Sequence, residues 1–432
     1  MPVVRPFRAW RYPSDQDLNA LTAPPYDVIS PSQRDELLGL SADNVVALEL
    51  PEGSLDPQDS SNRYATGAKR WAQWTSDGTL VRDDAPTIYV LEQRFTVEDR
   101  PIRRRAFIAE VMLHPFADGV VLPHERTLPK ALGDRYALLE ATATNLSQVF
   151  GLYSDPERTT DAAFEAGMAQ DPVMTVTDPD GVVSTVWAVT DPEQIAAITG
   201  ALADSNVFIA DGHHRYTVAL AYRDARRSAA SAAGDVHADP DYDYVMMALV
   251  NLDDPNLIVL PTHRVADAPS DFSAEEFYEG LNRHFDITDL PADSGPTVPE
   301  GLERPSFLVK TSEDPQPKVA VLRADVDPSS AVVGSHSEAY KELDVTLLQE
   351  LVLDPLLGIH PDRPETLARL SFFKDAGEAL AATSEHDVAF ILRPTKMEQM
   401  KAVSLAGEVM PQKSTYFYPK LLSGLVLRSI DD

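Results

Sequence analysis

The sequence predicts an α+β protein in which helices surround a mixed β-sheet. Three observations carry this expectation. Short apolar runs at 207–210, Tyr244–Asn251 and 388–393 read as buried strands. Segments with apolar residues at three- and four-residue spacing, such as Val218, Ala219, Tyr222 and Ala225, alternate with those runs and read as helices. Two strand pairs, 87–96 with 102–113 and 307–309 with 318–323, read as hairpins. No internal repeat of solenoid length is present.

In chain order, Arg5, Pro6, Phe7, Arg8 and Trp10 form an extended start. In Ala23-Pro24-Pro25-Tyr26-Asp27-Val28-Ile29 the paired prolines fix the backbone and hold Tyr26 and Asp27 rigidly. The plainer reading is a turn that caps a helix over 32–40. Residues 44–50 read as a strand and 64–77 as a helix carrying Trp71 and Trp74. Arg103, Arg104 and Arg105 share a face only in alternation, so they are expected on a solvated edge strand. A helix over 138–145 and a strand over 148–153 follow. Residues 160–200 read as a helix, a hairpin around Asp178-Pro179-Asp180-Gly181 and a helix from Pro192. The Ala-, Ser-, Gly- and Asp-rich 228–243 reads as a surface loop. Residues 269–305 read as helix then loop. Helices are expected over 344–353, 372–383 and 397–406, the last closed by Gly407.

The chain is organised around Asp211-Gly212-His213-His214-Arg215-Tyr216. The apolar run ends at Asp211, Gly212 breaks it, and the helical period begins at about His214. A helix start offers backbone N–H groups and the positive end of the dipole, which suits an anion. Arg215 adds a planar fork that matches phosphate. These residues together predict a phosphate-binding turn. A metal site is the weaker reading, because neighbouring histidine side chains diverge at a turn. A lone helix-start histidine would be only a cap, but two histidines, an arginine and an aspartate around a glycine exceed that.

Other polar clusters punctuate the chain. Pro123-His124-Glu125-Arg126-Thr127-Leu128-Pro129-Lys130, followed by Asp134 and Arg135, places a carboxylate among cations. A solvated surface turn is the alternative. Leu260-Pro261-Thr262-His263-Arg264 repeats the pattern of apolar strand, break and His-Arg. His263 and Arg264 would come alongside His213 to Arg215 if their strands were sheet neighbours. Lys413, Ser414 and Thr415 precede three aromatics and Lys420. Ser and Thr after Lys suggest phosphate, although the glycines of a P-loop are missing and an ordinary edge strand would explain the stretch as well.

Composition limits the function classes. The 37 basic and 68 acidic residues give a net charge of −31. That opposes nucleic-acid binding and makes any cluster of cations notable. The chain has no cysteine, which excludes disulfides, thiolate metal sites and cysteine nucleophiles. No apolar run approaches the ~20 residues of a membrane span, and Met1 to Pro6 lack an apolar signal core. A cytoplasmic protein without a membrane partner is expected, its oligomeric state open.

Five ordered motifs resemble the family catalogued as domain of unknown function 1015: 23–29, 123–127, 209–216, 260–264 and 410–420. The resemblance covers almost the whole chain. It implies one compact family-wide unit over 1–432, with parts at 1–155, 156–270 and 271–432, the last folding back on the site. Asp211 to Arg215 also resembles the nucleotide-phosphate motif of the ParB/sulfiredoxin fold, which includes an ADP-using free-serine kinase. That resemblance implies a nucleotide-binding core of the same kind. Sulfiredoxin chemistry does not carry over to a chain without cysteine.

The resulting expectation is a nucleotide-dependent phosphotransferase acting on a small hydroxylated metabolite, free serine first. Its nucleotide would be ADP or ATP with Mg2+. Gly212, His213, His214 and Arg215 would hold phosphates. Glu125, beside His124, or Asp27 would be the base, and Asp211 would organise the turn. Lys130, Arg135, His263, Arg264, Lys413, Ser414 and Thr415 would complete the anion site, and the clusters are expected to share one cleft. A phosphatase or nucleotidase and a non-enzymatic nucleotide switch are the alternatives.

Overall fold

The computed structural model describes residues 1–56, 59, 61–126, 129–203, 205–235, 237–291, 293–361 and 363–431, with 129–131 described in backbone only. The chain divides into two units. The first comprises 1–123, 127–258 and 419–432, the second 124–126 and 259–418.

Among the described residues the first unit holds a nine-stranded sheet. Its strands are β1 (Val4–Arg5), β2 (Ile88–Val97), β3 (Arg100–Met112), β4 (Val121–Leu122), β5 (Val149–Tyr153), β6 (Met174–Thr177), β7 (Val183–Val189), β8 (Val207–Asp211) and β9 (Tyr244–Asn251). Their spatial order is β4-β8-β5-β9-β3-β2-β7-β6, with β1 on β3. The sheet is mixed: β8 runs parallel to β4 and antiparallel to β5, and β9 runs parallel to β5. Strands β5, β8 and β9 are apolar runs buried along nearly their whole length, as expected of strands covered on both faces. Gly151 on β5 permits close packing there, since a Cβ would come within 2.8 Å of Leu249 and Met247 side-chain atoms.

The helix His213–Ala233 leaves the end of β8. Its Tyr216 and Ala219 join Phe107, Val207, Ile209 and Met247 in the main core. Val218 and Tyr222 on the same helix pack against Leu139 of helix Pro129–Thr142 and Ile430. A fully buried side chain of this size contributes roughly 1.5–3 kcal/mol by leaving water, so several such residues fix where the helix begins.

The second unit holds an antiparallel sheet of β10 (His263–Asp267), β11 (Phe285–Asp289), β12 (Ser306–Thr311), β13 (Lys318–Leu322), β14 (Leu370–Phe373) and β15 (Asp387–Ile391). The spatial order is β11-β13-β12-β15-β10-β14. Val265, Leu308, Val319, Ala389 and Ile391 form its core.

The α+β class with a mixed sheet is therefore what the chain adopts, but several local expectations need correction. Residues 44–50 hold a short helix, Val46–Glu49, in place of a strand. The Asn44 side chain accepts from the Val46 N–H at 2.9 Å and so starts a turn within a β-branched run. Arg104 and Arg105 do not lie on a solvated edge: β3 is paired on both sides and both are buried. Arg105 bonds Glu92, and Arg104 bonds the Gln93 side chain and the Pro419 carbonyl. The supposed loop at 228–243 is helical to Ala233, because alanine is the strongest helix former. His263 and Arg264 are not sheet neighbours of His213 to Arg215, since β10 and β8 belong to different sheets. Residues 370–373 are a strand, so the helix expected over 372–383 is confined to Ala376–Ala381. Among the described residues no helix is long and apolar enough to cross a membrane.

Candidate functional site

Each unit carries a cluster of the sequence-predicted side chains. In the first, β8 ends at Asp211 and Gly212 turns the chain with φ +85° and ψ +28°. This left-handed geometry favours glycine. Asp211 Oδ1 accepts from the Gly212 N–H at 2.7 Å, and Oδ2 lies 3.1 Å from Lys420 Nζ. Burial works to raise the Asp211 carboxyl, but Lys420, Arg215 and the Gly212 N–H hold it well below the usual carboxylate range. Asp211 is thus a fixed anion that organises the turn.

His213 opens the helix and is buried; His214 is half-buried. Arg215 folds back over Gly212, where an added Cβ would come within 2.9 Å of its Nε and Nη2. Its Nη1 donates to Ser147 Oγ at 3.1 Å and to the Gln148 carbonyl at 2.5 Å. Its buried Nε has no acceptor among the described residues. The guanidinium is therefore anchored at one end and retains donor capacity at the other.

A cavity of about 50 Å³ opens beside it, with Tyr26, Glu49, Arg135, Ser147 and Arg215 among its walls. At roughly 10–15 Å³ per water this is space for a few waters or a small anion. Arg135 stacks 4.3 Å from the Tyr26 ring and bonds Asp134 and the Glu49 carbonyl. Burial pushes the Tyr26 hydroxyl up to about 12, against the pull of Arg215 and Arg135, so it stays protonated at neutral pH. Asp27 follows Tyr26 in the turn Tyr26–Val28 and is exposed. The side chain of Lys130 lies outside the described residues.

The second cluster gathers His124, Glu125, Arg264, Ser414 and Thr415. His124 is buried; its Nε2 lies 2.9 Å from Thr415 Oγ1, and its carbonyl accepts from Met410 N–H. Glu125 bridges to Met410. Arg264, 1% exposed, donates from Nη2 to the Gln412 carbonyl at 3.3 Å, while its Nε has no acceptor among the described residues. Burial lowers the Arg264 guanidinium to about 10 and Glu125 opposes that, so it remains charged at neutral pH. Ser414 is buried, with its carbonyl accepting from Thr395 Oγ1 at 2.7 Å. Lys413 is exposed in the left-handed region, at φ +56°. His263 is held by the residue that follows β15: its Nδ1 accepts from the Leu392 N–H at 3.1 Å. Burial lowers it to about 4, with Asp375 opposing, so it is a neutral imidazole at pH 7.

Sequence reasoning gave no role to Lys420, Glu49 or Arg104. Lys420 follows the aromatic run and holds Asp211. Glu49 was hidden inside an apolar stretch, and a lone carboxylate there is the signal that it has buried partners; Ser423 Oγ lies 3.2 Å from it. Arg104 stacks on Phe150, the register partner of Asp211, at 5.0 Å. Among the described residues no group of three or more His, Asp or Glu side chains is placed to hold a metal ion.

None of the curated proteins matches the chain. Among solved structures it is similar to SbnI with a C-terminal truncation from Staphylococcus aureus, at 11% identity and a TM-score of 0.34, covering 72% of this chain and 84% of that one. It is similar to a free serine kinase variant in complex with ADP at 13% identity and a TM-score of 0.32, covering 69% and 84% respectively. A conserved hypothetical protein from Pyrococcus furiosus is similar at 14% identity and a TM-score of 0.32, covering 70% and 90%. The family model described as "Protein of unknown function (DUF1015)" matches residues 4–346, and the chain belongs to that family.

Proposed function

We propose that the chain is a nucleotide-dependent phosphotransferase acting on a small hydroxylated metabolite, with free serine the first acceptor to test. The observation that carries this reading is the turn from β8 into helix His213–Ala233, with the Arg215 guanidinium laid over Gly212 and a small cavity beside it. A helix start with an adjacent arginine suits a nucleotide phosphate. In this reading Gly212, His213, His214 and Arg215 hold the phosphates of ADP or ATP. Asp211 and Lys420 keep the turn in shape. Lys130, Arg135, His263, Arg264, Lys413, Ser414 and Thr415 remain assigned to anion binding, with His263 limited to a neutral hydrogen-bonding role.

Phosphoryl transfer needs positioning and charge neutralisation more than covalent chemistry from the protein. It also needs a carboxylate to take the acceptor's hydroxyl proton. Asp27 and Glu125 are the two candidates, with His124 beside Glu125. A magnesium ion would rest chiefly on the nucleotide's own phosphates, which is its usual habit.

The test is an assay of phosphoryl transfer from ADP and ATP to serine and related hydroxy compounds, with Arg215→Ala, Asp27→Asn and Glu125→Gln alongside the wild type. Arg215→Ala is expected to weaken nucleotide binding by about 1.5–3 kcal/mol in calorimetry. One carboxylate variant is expected to lose roughly 10²–10⁴-fold in rate with nucleotide affinity kept. Nucleotide hydrolysis without transfer would replace the kinase by a hydrolase. Binding without either reaction would leave a switch, and unchanged affinity in Arg215→Ala would remove the turn from the site.

A further inference from the structure

We infer a second anion-binding site in the first unit, separate from the Gly212 turn, for a small oxyanion carrying two negative charges. A cavity of about 420 Å³ is lined by Arg5, Arg8, Arg82 and Arg428 together with the carboxylates of Glu110 and Asp241. Four guanidiniums and two carboxylates line this one space, and Arg5 also reaches the exposed Asp239 beyond it. In a chain with 68 acidic and 37 basic residues this is a local reversal of sign.

The arginines are brought together from distant parts of the sequence by the sheets. Arg5 lies on β1, which pairs with β3 so that Arg5 stands opposite Glu110. Arg82 ends the short strand Val81–Arg82, which pairs with Trp10–Arg11. Arg428 lies opposite Asn145 in a further two-stranded pair.

Their anchoring differs, and that difference shapes the site. Arg428 is 1% exposed. It is held by Glu110, by Asn145 Oδ1 at 3.2 Å, and by the carbonyls of Tyr244 and Asp241 at 3.0 and 2.7 Å. Arg5 stacks over the Tyr244 ring at 3.7 Å and bonds Glu110, Asp241 and, at 3.0 Å, the exposed Asp239. These two form a rigid, mostly compensated floor. Arg8 differs from both. Its Nε donates to the Asp83 carbonyl at 2.9 Å, and a backbone carbonyl neutralises no charge. Its guanidinium is thus oriented while keeping its full charge, and no carboxylate pairs with it among the described residues. A fork fixed at one nitrogen with its outer N–H groups available is preorganised for a two-oxygen contact. Phosphate monoesters and dicarboxylates share this chemistry.

The test titrates inorganic phosphate and succinate, at low ionic strength, into the wild type, Arg8→Ala, Arg82→Ala and Arg215→Ala. We expect saturable binding of at least one probe that weakens about ten- to a hundredfold in Arg8→Ala and persists in Arg215→Ala. Arg8→Lys, which keeps the charge and loses the fork, should fall between. Binding of phosphate alone assigns a phosphate ester, of succinate alone a dicarboxylate, and of both a dianion chosen by charge. If Arg8→Ala melts early, Arg82→Ala gives the same reading from a second lining arginine. The proposal is overturned if neither probe binds the wild type saturably, or if binding survives both substitutions unchanged. Loss of binding in Arg215→Ala alone would return the anion to the Gly212 turn.

Discussion

Lys420 Nζ stands 3.1 Å from Asp211 Oδ2, so a residue from the last segment of the first unit holds the strand end that feeds the helix-start turn. The two side chains are 17% and 18% exposed. At that burial, removing one partner leaves a charge that water solvates only in part.

Lys420→Met should therefore destabilise the protein at neutral pH, by less than the roughly 3–5 kcal/mol of a fully buried pair. The sign with pH follows from Asp211, whose carboxyl is held low in the folded state. Its contribution is present above the unfolded carboxylate value of about 3.9 and is lost as pH falls through the lower folded value. The gap between wild type and variant in urea denaturation should thus narrow as the pH is taken from 7 towards 3. A gap that stays constant would mean that Lys420 acts through packing alone. Asp211→Asn in the Lys420→Met background should restore part of the loss.

Gly212→Ala should cost about 1–2 kcal/mol for a side chain in the left-handed region, plus whatever displacement of Arg215 the new Cβ forces. Arg215→Ala removes that obstacle. The double variant should therefore lose less stability than the sum of the two single ones, by at least the roughly 0.5 kcal/mol that marks coupling between neighbours. Strict additivity would show that Arg215 does not rest on Gly212 in solution.

His263 should make the protein acid-sensitive in a defined window. Its imidazole is lowered to about 4 by burial, against an ordinary value of 6.5. The folded state then binds this proton less readily than the unfolded state, so stability is full above about 6.5 and falls as pH drops towards 4. The loss is on the order of 1–3 kcal/mol. His263→Gln keeps an acceptor for the Leu392 N–H and cannot titrate. Its melting temperature should change less than that of the wild type between pH 6.5 and 4. Parallel curves would assign the acid sensitivity to other groups.

How far the sequence reaches depends on whether a signal is local. The end of β8 and the start of the following helix were legible because period, glycine and apolar run all lie within a dozen residues. The hairpin of β2 and β3 was legible for the same reason, since Glu98 and Asp99 take positive φ at its tip. Arg104 was misplaced because its acceptors, Gln93 and the Pro419 carbonyl, come from elsewhere in the chain. His263 looked like a cation beside Arg264, yet its state is set by burial and by a Leu392 N–H that no local pattern reveals. Glu49 shows the converse: an apolar stretch hid a carboxylate whose partners, Arg135 and Ser423, are distant in sequence.

The assignment of 419–432 to the first unit has a consequence for how the protein is made. A ribosome releases residues in order, so the whole sequence of the second unit emerges before Lys420 and Arg428 do. At about 5–20 residues per second, that interval is roughly ten to thirty seconds. Local folding events are complete in microseconds to milliseconds. During that interval Asp211 lacks Lys420, and Glu110 has Arg5 but lacks Arg428. The unit begun first is finished last, and the Asp211–Lys420 ion pair can form only after synthesis has passed residue 420.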